Sequence, residues 1–135
     1  MGACYPQEAG VRRLVRNVWV AGRDPVVVGD VVEGSGVEPL GYSWHGHPEA
    51  AWWCEAGWAL VHLGKTDLWF TAPQAQLTQA QIVRPPGSRG QLTLATEMKG
   101  LNVVWWVFGI GARPPEVRVG EAGRSVEVRG VRFAV

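Results

Sequence analysis

The segment Leu101–Ile110 constrains the fold more than any other stretch of the chain. Read as extended backbone, it places Leu101, Val103, Trp105 and Val107 on one face and Val104, Trp106, Phe108 and Ile110 on the other, with Asn102 the only polar member. A strand with one face in a core and the other in water alternates apolar with polar residues. This one does not, and leaving a large apolar side chain in water forfeits roughly 1.5–3 kcal/mol each. Something must therefore cover the second face: a helix drawn from residues 49–63, a crossing loop or N-terminal arm, or another subunit. Val104, Trp106, Phe108 and Ile110 are accordingly interface candidates, and a homo-oligomer or a protein partner is the expected company.

The remaining sequence reads as short strands joined by turns. Val11–Ala21 ends at Gly22-Arg23-Asp24-Pro25, a strong turn signal. Val26–Val32 is β-branched, and Gly29 in its middle marks a bulge or a close backbone approach. Asp67–Thr71 reads as a strand, and Gln74–Gln81 as a short helix or a polar edge strand. Ile82–Arg84 and Leu92–Leu94 flank a Pro-Pro-Gly turn and form a hairpin. Residues 49–63 fit two descriptions. Trp52, Ala56, Leu60 and Leu63 share a helical face, yet Gly57 would equally separate two strands. Near the C-terminus, Val117 and Val119 alternate with charged residues. Val126 and Val128 are then followed by Val131, Phe133 and Val135, a change of phase that predicts a β-bulge at Arg129-Gly130. Eight to ten strands at this spacing predict one all-β domain over residues 1–135. The expected form is an antiparallel β-sandwich or barrel, jelly-roll-like, with at most one short helix.

Charge and cysteine content exclude several functions. The chain carries 13 basic and 12 acidic residues, a formal charge of +1. Nucleic-acid binding rests on phosphate neutralisation and is not expected here, since the only basic cluster is Arg12, Arg13 and Arg16. No apolar run reaches membrane-spanning length, and no signal peptide is recognisable, so a cytoplasmic or virion-associated location is the default expectation. Cys4 and Cys54 would allow one disulfide but no disulfide framework. No phosphate-binding loop or nucleophile elbow is present, and no cofactor is expected. The acid pairs Glu49/Glu55 and Asp24/Asp30 read as surface carboxylates in the absence of a pocket.

Two groups of residues carry candidate chemistry. Five of the eight tryptophans, Trp44, Trp52, Trp53, Trp58 and Trp69, fall within a short stretch. Exposed rings of this kind stack on the apolar faces of sugars, so they are ligand-binding candidates for a glycan. The neighbours Trp52-Trp53 and Trp105-Trp106 must also point to opposite faces wherever the backbone is extended. The second group is His45-Gly46-His47, whose imidazoles would project to one face of a strand, with His62, Glu49 or Glu55 as a third ligand from a neighbouring segment. This pair, followed by an acid and a later histidine, resembles the first motif of the cupins, a double-stranded β-barrel family, and the resemblance implies a metal site at His45 and His47, the two residues that match the motif. Glu49 stands closer to the pair than that family's glutamate and Glu55 farther, and no histidine follows His62 to complete a second motif. The leading expectation is a non-enzymatic structural or interaction protein acting by self-association or partner binding, such as a virion or other assembly component. A carbohydrate-binding module is the first alternative and a small cupin-like metalloenzyme the second.

Overall fold

A computed structural model describes residues 10–34, 39–45, 47, 49–55, 58–73, 81–83, 91–97 and 100–135. Twelve strands lie within them: β1 (Val11–Val20), β2 (Val26–Gly34), β3 (Pro39–His45), β4 (Ala51–Glu55), β5 (Trp58–Leu63), β6 (Thr66–Thr71), β7 (Gln81–Val83), β8 (Gln91–Glu97), β9 (Gly100–Ile110), β10 (Val117–Val119), β11 (Ser125–Val128) and β12 (Val131–Ala134). The only helical element among the described residues is a short 3-10 turn at Glu121–Gly123. The fold is thus nearly all-β, as the turn spacing predicts. The ambiguity at 49–63 resolves to the hairpin β4–β5, in which Ala51 pairs with His62 and Glu55 with Trp58.

Six strands form the central sheet, in the order β1-β2-β9-β6-β5-β4, with every pair antiparallel. Strand β9 sits inside it, pairing with β2 along its length and with β6 at its end. Two three-stranded sheets accompany it, β10-β11-β12 and β3-β8-β7.

The two faces of β9 have different covers, both supplied by the chain. On one face Trp105 and Val107 join Val27 and Trp69, and Val126, Val128 and Phe133 of the C-terminal sheet close over them. On the other, Val104 and Trp106 join Val28, Ala59 and Phe70, with Trp44 of β3 packed against them. Val104 and Trp106 are buried there. The two-faced strand therefore does not call for a second subunit over these two residues. Phe108 is half-buried in the same cluster, and Ile110 is exposed. The paired tryptophans follow the same rule: Trp105 and Trp106 belong to opposite clusters.

Gly29 is a close backbone approach. A Cβ at this position would lie 2.8 Å from Cζ3 of Trp105, whose ring covers the glycine across the β2–β9 pair. That ring stacks on Trp19 at 5.7 Å between centroids, and its Nε1–H donates to the Gly123 carbonyl at 2.7 Å, tying the 3-10 turn to the core. The expected bulge at Arg129-Gly130 is instead a tight two-residue turn between β11 and β12, in which Val128 pairs with Val131. Both turn residues have positive φ, 52° and 77°, as the favoured two-residue hairpin turn requires. The phase change in the sequence is the reversal of the chain.

One buried charge lies within the central sheet. Asp30 is fully buried, and Arg16, directly opposite on β1, donates to both its carboxylate oxygens at 2.7 and 2.8 Å. The Arg16 guanidinium also lies 5.4 Å from the centre of the Trp44 ring, a cation–π distance that links β1 to β3. Part of the N-terminal basic cluster is therefore structural.

Candidate functional site: an aromatic cleft

The register of the central sheet gathers apolar side chains beyond the part of its face that Trp44 covers. Phe108 pairs with both Val26 and Phe70, Leu68 with Ile110 and Val61, and Val61 with Trp52. Residues opposite each other in a ladder point to the same face, so all seven lie on one side. Together with Trp44, Ala50 and Leu63 they line a cleft of about 440 Å³. Phe70 and Phe108 stack in its floor at 5.5 Å, Trp44 meets Phe108 edge-on at 4.8 Å, and Trp52 meets Phe70 edge-on at 6.3 Å. Around the mouth, Leu63, Leu68 and Ile110 are 38, 42 and 54 % exposed.

Polar groups are few and have one character. Among the described residues, Arg23, in the β1–β2 turn, and His47, just past β3, are the only charged or titratable side chains lining the cleft, and no carboxylate lines it. The turn beneath Arg23 is fixed by the Ala21 N–H to Pro25 carbonyl bond and by an ion pair of Asp24 with Arg129 at 2.7 Å. Asp24 pairs with Arg129 through Oδ2 while its Oδ1 is buried without a hydrogen-bond partner, and Arg23 has no ion-pair partner among the described residues. His47 Nδ1 accepts the Glu49 backbone N–H at 3.2 Å, which places the proton of the neutral ring on Nε2. The Nε1–H groups of Trp44 and Trp52 are buried and meet no acceptor among the described residues.

The five candidate tryptophans do not form one platform. Trp44 and Trp52 line the cleft. Trp69 also borders it, but its ring packs in the opposite cluster, against Gly109, where a Cβ would collide with both it and the Asp24 carboxylate. Trp58 packs against that opposite cluster as well. Trp53 is exposed and meets the His62 ring edge-on. Alternation thus divides Trp52 from Trp53. Of the interface candidates, Phe108 and Ile110 line the cleft, while Val104 and Trp106 are in the core.

His62 is hydrogen-bonded to Asp67, its partner across the β5–β6 pair. His47 lies outside the strands, and the side chain of His45 is outside the described residues. No group of three histidine, cysteine or carboxylate side chains suited to a metal occurs among the described residues. Asp24 and Asp30 are each bound by their own arginine and do not face each other as an acid–base pair. Cys4, the side chains of Cys54 and Glu55, and residues 74–80 also lie outside the described residues. Among the described residues, no helix is long and apolar enough to cross a membrane.

Sequence reasoning missed Val61, Leu63, Leu68, Phe70, Arg23 and the joining of Phe108 to Trp52. The signal present was the phase of β5 and β6, whose apolar residues match that of Phe108 only once the strand order is known. No protein-family model matches the chain, and no curated protein matches it either.

Proposed function

We propose that this chain is a non-enzymatic binding domain whose aromatic cleft receives the apolar part of a ligand. The observation that carries this reading is the cleft itself: about 440 Å³ walled by Trp44, Trp52, Phe70 and Phe108. Ligand sites commonly span roughly 300–1,000 Å³ and are apolar with a few polar groups that set orientation. Water against such walls is poorly hydrogen-bonded, and an apolar body that displaces it gains affinity. Among the described residues, the lining holds no carboxylate and no pair of groups suited to acid–base or nucleophilic work. The same shortage weakens the glycan alternative, because sugar hydroxyls need acceptors as well as donors at the edge of a stacking ring.

The test is a tryptophan-fluorescence titration of the full chain with 1-decanol, a neutral apolar probe. A saturable change is expected. It should weaken by about tenfold or more in Ile110→Asp, which sets a charge at the mouth and, being on the surface, costs the fold only about 0.5 kcal/mol. No saturable response in the unmodified chain would sink the reading. So would a dimer in sedimentation that Ile110→Asp dissociates, because the cleft would then be a surface between copies of this chain.

A further inference from the structure

We infer that the cleft selects ligands with an anionic, acceptor-only head group, a carboxylate on an apolar tail of about ten carbons. The inference rests on the cleft being the binding site and goes beyond that reading by naming the ligand class. Its basis is the inventory of side-chain polar groups. Among the described residues, Arg23 offers guanidinium N–H groups and His47 an Nε2–H, and the indole N–H groups of Trp44 and Trp52, buried in the walls, meet no acceptor. Every one is a donor. Indole and guanidinium have no acceptor, and the neutral imidazole has already used its own on the Glu49 N–H. A carboxylate is the complement: it accepts at about four lone-pair sites and donates nothing.

Charge agrees with hydrogen bonding. Arg23 has no ion-pair partner among the described residues, where the neighbouring Asp24 pairs with Arg129, so the mouth keeps a positive charge. Among the described residues, no acidic side chain lines the cleft to repel an anion. Size sets the tail. At ~30 Å³ for each water-sized group, the volume holds about fifteen such groups, which suits a medium-length chain or a one- or two-ring body and not a long lipid. The tail would lie on Phe70 and Phe108, with the head between Arg23 and His47.

Three ten-carbon probes separate the head group from the cleft: decanoate, 1-decanol and decyltrimethylammonium, titrated at neutral pH and followed by tryptophan fluorescence and calorimetry. Decanoate is expected to bind about tenfold more tightly than decanol, and the cationic probe more weakly than either. Arg23→Gln should collapse the decanoate-to-decanol ratio about three- to tenfold. Arg132→Gln, an exposed change on β12, should leave that ratio as it is. If decanol binds as well as decanoate, or if Arg23→Gln weakens both equally, the anionic head is overturned and the apolar cleft survives. If no probe binds, both readings fall together.

Discussion

Replacing Gly29 with alanine tests how the two faces of the central sheet are held. The new Cβ would lie 2.8 Å from Cζ3 and 3.2 Å from Cε3 and Cη2 of Trp105, so the ring must retreat by several tenths of an ångström. It has little room to do so. Trp105 is fully buried, stacked on Trp19, and held by its Nε1–H on the Gly123 carbonyl. Overpacking of this kind costs about 1–3 kcal/mol. Removing a glycine from the unfolded chain returns about 0.4–1 kcal/mol. The expected net loss is about 1–2 kcal/mol, measured by urea denaturation, with a fall in Tm of roughly 3–10 °C by calorimetry. A double-mutant cycle with Trp105→Phe, which removes the crowded edge of the indole, should show a coupling of about 1 kcal/mol in the relieving direction. An alanine variant as stable as the parent, with additive behaviour in the cycle, would refute the account of Gly29 as a seat for Trp105.

Two further stability measurements check other parts of the fold. Arg16→Met should cost about 2–4 kcal/mol, because it strands the buried Asp30 carboxylate. Asp30→Asn should cost only about 1–2 kcal/mol, because the half-exposed Arg16 can turn to water; the reverse order in urea melts would contradict the assignment. Gly130→Ala places a side chain at a φ of 77° in the β11–β12 turn and should lower stability by about 1–2 kcal/mol in thermal denaturation, with no change at the cleft.

What was legible in the sequence was local. Alternation located β10 and β11, an unbroken apolar run located β9, and Gly29 marked a bulge or a close approach, of which the structure shows the close approach. Adjacent tryptophans required either a ring outside the core, as at Trp53, or a second buried surface, as at Trp105-Trp106. Residues 49–63 were ambiguous because β4 and β5 carry apolar residues on both faces, so a period of two loses its contrast and a helical period fits as well. The turn at Arg129-Gly130 was misread because a two-residue reversal and a one-residue bulge leave the same phase change in a sequence. The cleft was least legible. Its walls come from the β1–β2 turn, the end of β3 and strands β4, β5, β6 and β9, and only the strand order, which places β9 between β2 and β6, brings Val26, Phe70 and Phe108 side by side. Trp44 and Trp52 could be selected by type, but nothing local distinguished them from Trp53 and Trp58.

The position of β9 also governs how the chain reaches this state. The pairs β1–β2, β4–β5, β5–β6, β10–β11 and β11–β12 join neighbours in sequence, whereas Val27 meets Val107 and Thr71 meets that same Val107 only after long stretches of chain have closed. Loop-closure entropy makes such pairings slow relative to hairpins. Until β9 inserts, β2 and β6 each present an open edge and the aromatic faces have no common floor. Open strand edges and uncovered apolar faces make that interval the one most exposed to aggregation. A substitution that delays insertion of β9 would lower the yield of folded protein even where it leaves the finished fold equally stable.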